Sequence, residues 1–232
     1  KSIIRKIKRH KMTTEEKKKA LEKVAQEVRE FKGLDIARNA TKAVPGEGDP
    51  DAKIFFFGEA PGMNEDLQGR PFVGQAGKLL EKILMSELGL TRDQIYITNI
   101  VKYRPPENRD PTPAEIEFFR PFLDRQIEII DPEIVVTLGR YSMYKFLGEG
   151  ASISRVHGMP RKIAWNGKSI LIFPMFHPAA ALRQGAVMEQ FEEDFKKLRS
   201  LIDKKEGIIS ADGEEIKAEE KKEKEGEQLE LI

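Results

Sequence analysis

Four positions in this 232-residue chain place chemically capable groups just after runs with the character of buried strands. Ile54–Phe57 is a short apolar run ended by Gly58-Glu59, and the predicted strand Ile95–Ile100 carries Asn99. Ile134–Leu138 is closed by Gly139-Arg140, and a strand over 168–173 runs on into His177-Pro178. An acid, an amide and an imidazole can hold protons, read donor and acceptor patterns and orient a polar ligand. In open α/β sheets, ligands bind just beyond the carboxyl ends of parallel strands. Glu59, Asn99 and His177 are therefore expected to converge on one crevice.

The elements that must position these groups alternate. Thr13-x-x-Glu16 reads as a capping box opening a helix through about Lys32, with Leu21, Val24, Ala25 and Val28 on one face. A loop with Pro45, Gly46, Gly48 and Pro50 precedes the first strand. Helical spacing covers Ala76–Leu88, and Thr91-x-x-Gln94 caps a short turn before the second strand. Thr112-Pro113-Ala114-Glu115 is a capping box with proline at the first helical position, opening a helix to about Ile130. A further helix covers Arg140–Leu147. Residues 153–165 and 168–173 are expected to be a strand pair around the Asn166-Gly167 turn, and a last helix spans about Val187–Ile202. Strands alternating with helices predict an α/β fold, a three-layer α/β/α sandwich around a mainly parallel four-stranded sheet.

Length and charge set the domain organisation. Residues 1–12 read as a basic N-terminal extension, 13–203 as one domain, and 204–232 as a disordered, Lys/Glu-rich tail. The chain holds 40 basic and 39 acidic residues, but residues 1–11 carry six Lys/Arg and no acid. The tail is acidic, so the body between is neutral, and nucleic-acid binding must come from local patches and shaped loops. No apolar run approaches the roughly 20 residues of a membrane span, and the basic start lacks the apolar centre of a secretory signal. A cytoplasmic monomer is expected. Cysteine is absent, which excludes disulfides, thiolate clusters and cysteine nucleophiles.

The stretch from Gly58 reads GEAPGMNEDLQGRPFVGQAGKLL. With ITNIVKYRPPENRDPTPAEI (97–116), AVPGEGDPDA (43–52) and HPAAALR (177–183), it resembles the thermophile-type uracil-DNA glycosylases, usually called family 4. The resemblance covers about residues 20–202. It implies an enzyme that flips deoxyuridine out of DNA and hydrolyses its N-glycosidic bond, with uracil-containing DNA as partner. Two other readings stay open: action on another deaminated base such as hypoxanthine, and a DNA-binding protein that recognises lesions without cutting. A nucleotide-binding fold finds no G-x-G-x-x-G after a strand.

The resemblance assigns roles. Glu59 orients or activates water and offsets charge on the sugar. His177 donates to uracil O2, against the plainer reading of a histidine at a strand end. Asn99 reads the pyrimidine edge, against an asparagine bonding a loop backbone. Phe72 stacks on the flipped base or is a core phenylalanine. Glu65 crowds the C5 position or is a loop-surface acid, Asn108 supports the site, and Gly58 and Ala60 line it. Gly139 before a helix start, Arg140 and Arg183 offer phosphate contacts, and Ala179–Arg183 is the loop pushed into the duplex with Leu182 as wedge.

The family's iron–sulfur cysteines fall on Phe31, Leu34, Tyr103 and Phe119 here. Thiolate ligation is impossible at these positions, so no cofactor and no metal are expected. Four large side chains are expected to fill the volume as a hydrophobic cluster tying the N-terminal helix to neighbouring loops. The chain ends Gln228-Leu229-Glu230-Leu231-Ile232, similar to the peptide by which repair proteins dock on the sliding clamp.

Overall fold

The computed structural model describes residues 12–211. Its first helix, α1 (Thr14–Glu30), opens on the expected box: Glu16 N–H donates to Thr13 Oγ1, and the Glu16 carboxylate accepts the Thr13 N–H at 2.8 Å. A short helix α2 (Asp35–Asn39) follows. The strands are β1 (Glu47–Gly48), β2 (Ile54–Gly58), β3 (Tyr96–Asn99), β4 (Ile134–Leu138), β5 (Arg161–Trp165) and β6 (Lys168–Met175). Between them lie α3 (Met63–Gln68), α4 (Gln75–Ile83), α5 (Pro113–Ile130), α6 (Arg140–Leu147) and α7 (Ile153–Val156). The chain ends in α8 (Pro178–Arg183) and α9 (Gly185–Ala211).

The sheet corrects the expected strand count. Among the described residues it has six strands in the order β1-β3-β2-β4-β6-β5. The four expected strands form its parallel centre, and β1 and β5 add antiparallel edges. β1 was hidden because it is two residues long within a glycine- and proline-rich loop. β5 does form the expected hairpin with β6, with Asn166 and Gly167 both left-handed, as a type I′ turn requires. That hairpin extends the main sheet. The expected strand over 153–160 is instead α7 and a turn at Gly158, where φ is +66°.

Alternation along the central strands supplies both layers. Phe56, Val136, Phe173 and Met175 pack with Leu80, Ile83, Phe191, Phe195 and Leu198 from α4 and α9. Phe55, Phe57, Val135 and Ile172 face Val28, Leu123 and Ile127 from α1 and α5. Helices thus cover both sheet faces, and all five residues of β2 and of β4 are buried. α9 starts two residues earlier than expected and continues to Ala211, through positions 204–211 assigned to the tail. The extension at 1–11 and the Gln228–Ile232 peptide lie outside the described residues. No helix among the described residues is long and apolar enough to cross a membrane.

Candidate active site

Gly58, the last residue of β2, is the floor on which the site is built. A Cβ placed on it would lie 2.7 Å from Asn99 Oδ1, 2.7 Å from Phe72 Cζ and 3.4 Å from His177 Nε2. Two side chains from separate strand ends and one from the loop between α3 and α4 therefore meet over one glycine, in a cleft of about 640 Å³ that Glu59 also lines. The register explains the meeting: Gly58 pairs with Asn99 in the parallel ladder, and β6 delivers His177 two residues past its end. Past the ladder, Ile100 N–H donates to Gly58 O and Val101 N–H to Glu59 O, both at 3.0 Å, which holds the two strand tips side by side.

His177 is fixed in one tautomer. Its Nδ1 accepts the Ala179 N–H at 3.1 Å as the cap of α8, so the proton of the neutral ring sits on Nε2, the nitrogen facing the cleft. Burial pushes its pKa down to about 4, with Arg183 adding to the fall and Glu65 opposing it. The ring is thus an uncharged donor at neutral pH. Asn99 is buried, and its Oδ1 has no partner in the protein. A buried acceptor left open at the bottom of a cleft suits a ligand N–H donor.

Glu59 has a different environment. Burial and the nearby negative charge of Asp110 raise its pKa to about 7, while Arg140 pulls the other way. Arg140 donates to Asp110 at 2.6 Å, and Tyr141 OH donates to the same carboxylate oxygen at 2.8 Å. Asp110 and Arg140 both line the cleft, so a proton on Glu59 is balanced between them.

Phe72 belongs to the core and also borders the cleft. It is buried in the core beside Leu80, yet its ring tip reaches the cleft and its plane lies 29° from that of His177 at 5.8 Å. Its φ is +51°, strained for an aromatic residue. Arg92 secures the kink by donating to Phe72 O at 2.9 Å and to Pro71 O, and Gly77 leaves room, since a Cβ there would lie 1.7 Å from Phe72 O.

Glu65 is no loop-surface acid. It is 9% exposed, and its carboxylate accepts the N–H groups of Gly62, Val73 and Gly74 at 2.7–3.1 Å, shaping the loop while lining the cleft. Ala60 and Asn108 also line the cleft. Asn108 is left-handed at φ +55°, and its Oδ1 accepts from Arg104 at 2.8 Å. Gly139, at φ +93°, caps α6 beside His177, and Arg183 stands at the rim. The segment 179–183 is helix α8, not a loop: Pro178 sits at its first position, where the lost N–H costs nothing. Leu182 is 45% exposed on that helix. Arg92, which holds the Phe72 backbone, and Asp110, which raises the Glu59 pKa, were missed, and neither carried a signal in the sequence.

The four positions matching cluster cysteines do not fit an iron–sulfur group. Phe31 stacks on Phe118 at 4.2 Å, Phe119 lies edge-on to Phe31 and Phe118, and Leu34 packs against the same cluster. Tyr103 OH is within hydrogen-bonding distance of Val28 O, at 2.5 Å, and of Phe31 O, tying the end of α1 to the 100–105 loop. Among the described residues no three His, Cys, Asp or Glu side chains are grouped to hold a metal ion.

The model of the uracil DNA glycosylase superfamily matches residues 45–199. A type-4 uracil-DNA glycosylase of Sulfurisphaera tokodaii is 52% identical over 78% of this chain and 84% of its own length. One from Saccharolobus solfataricus is 46% identical over 80% of this chain and 88% of its own. Another, from Archaeoglobus fulgidus, is 43% identical over 82% and 97%.

Proposed function

The chain belongs to the uracil-DNA glycosylase superfamily, and from that premise we propose that it excises uracil from DNA by hydrolysing the bond between the base and deoxyribose. The observation that carries the reading is the meeting of Asn99 Oδ1, Phe72 Cζ and His177 Nε2 above Gly58, with Glu59 beside them. Deoxyuridine leaves the helix and enters the cleft, a step cheapest for mispaired or single-stranded bases. Asn99 Oδ1 accepts uracil N3–H and the amide NH₂ donates to O4. Cytosine presents the opposite pattern at both atoms. Phe72 packs against the base.

The C1′–N1 bond breaks with its electron pair going to uracil, and the sugar gains positive charge. His177 Nε2–H donates to O2 as that oxygen becomes negative. Glu59, ionised, offsets the sugar charge and takes the proton of the water that adds to C1′. Glu59 returns its proton to solvent, the uracil anion takes one up on release, and free uracil and an abasic site result. Gly139, Arg140 and Arg183 at the rim contact backbone phosphates, and Leu182, projecting from α8, fills the space the base vacates. No step passes through a metal. The enzyme works as a cytoplasmic monomer, and the Gln228–Ile232 peptide tethers it to the sliding clamp.

Oligonucleotides carrying a single uracil, hypoxanthine or thymine, incubated with the protein and then treated with alkali, test this reading. Strand scission at uracil alone is expected. Scission mainly at hypoxanthine, or binding without scission, would overturn it.

A further inference from the structure

Lys102 is fully buried three residues beyond Asn99 and has no part in the chemistry above. Its Nζ donates at 2.7 Å to each of three oxygens: Thr98 Oγ1, the Asn99 backbone carbonyl and Gln126 Oε1. All three must accept. A backbone carbonyl has no proton. Gln126 uses its NH₂ to donate to Pro45 O at 2.7 Å and to Tyr96 OH at 3.1 Å, leaving Oε1 to accept. Thr98 gives its hydroxyl proton to Pro45 O at 2.8 Å.

Three acceptors call for three N–H donors, which an ammonium has and a neutral amine lacks. Burial and the like charge of Lys145 pull the Lys102 pKa down, but this hydrogen-bond set favours the charged form. None of the three partners is a carboxylate. A buried cation without a counter-ion is costly for a fold to keep. Asn99 Oδ1 meanwhile has no protein partner, so the aim of its amide depends on how its backbone is held.

We infer that Lys102 is a positioning residue for base release: through the Asn99 carbonyl it holds the base-reading amide in place and adds positive potential beneath the departing uracil. The inference rests on the uracil-excision reading of the cleft. A fixed charge set before reaction needs no rearrangement as the base becomes anionic, and the buried surroundings of Lys102 screen it less than water would.

The test compares single-turnover excision of uracil and of 5-fluorouracil from otherwise identical single strands. Fluorine stabilises the departing anion, so that base needs less help. Lys102→Met is expected to slow uracil release about 10²-fold and 5-fluorouracil release about tenfold or less. Adding Lys102→Met to Asn99→Ala should slow the enzyme little beyond Asn99→Ala alone. Equal slowing on both bases in a folded Lys102→Met protein would overturn the inference. Where Lys102→Met does not fold, Gln126→Met keeps the lysine but removes one acceptor. Greater slowing on uracil is again expected, and equal slowing again overturns it. A wild type that releases neither base sinks the functional reading itself, whereas an active wild type with equal losses sinks only the role of Lys102.

Discussion

Changing His177 to alanine is expected to slow single-turnover uracil release by about 10²–10³-fold while leaving affinity for uracil-containing DNA within a few-fold. The reason lies in one hydrogen bond. The Ala179 N–H occupies Nδ1, which leaves Nε2–H as a preset donor over Gly58. Alanine removes that donor at the point where the leaving base gains charge, so the loss falls on the chemical step. With a pKa of about 4, the ring adds no charge change to the rate near neutrality. The folded ring resists protonation more than the unfolded one, so stability is lost as pH falls from about 6.5 towards 4. His177→Ala should abolish that part of the acid sensitivity. A rate within threefold of wild type would remove His177 from the mechanism.

Glu59 is expected to set the pH dependence. In the proposed reaction its carboxylate is ionised to offset sugar charge and take a proton from water, and burial raises its pKa to about 7. The rate with uracil-containing DNA is expected to rise about tenfold per pH unit below 7 and to level off above it. Asp110→Asn removes the neighbouring negative charge and should move the rise to lower pH. Arg140→Gln should move it to higher pH. Glu59→Gln should erase it and lower the plateau about 10²–10⁴-fold. Stability runs opposite to rate here. The unfolded carboxyl ionises near 4.5 and the folded one near 7, so the fold loses stability as pH rises between the two. A profile flat from pH 5 to 9 would contradict the role of Glu59.

The centre of the sheet was legible because its strands are buried on both faces and read as plain apolar runs, from Ile54 and from Ile134. The edges were not. β1 has two residues, too few for a periodic pattern, and α7 replaces a strand because Gly158 turns the chain back before β5. The convergence of Glu59, Asn99 and His177 on one cleft was legible from position alone, since Asn99 ends a parallel strand and the other two lie just beyond one. What sequence did not reveal were the residues that hold them. Arg92 acts across twenty positions to steady Phe72, and Asp110 reaches Glu59's surroundings through a loop. Such contacts are set by tertiary folding and leave no local spacing. The α8 correction is of the same kind: HPAAALR reads as a loop motif, but His177 caps it and Pro178 starts it as a helix.

The base is proposed to sit directly above Gly58, and free uracil released in a single turnover by wild type and by Gly58→Ala tests that placement. The added methyl would crowd Asn99 Oδ1, Phe72 Cζ and His177 Nε2 together. Uracil release by wild type, and its near-complete loss in a Gly58→Ala protein of similar melting temperature, is the predicted result. Release by Gly58→Ala at the wild-type rate would place the reacting base elsewhere and contradict the site described.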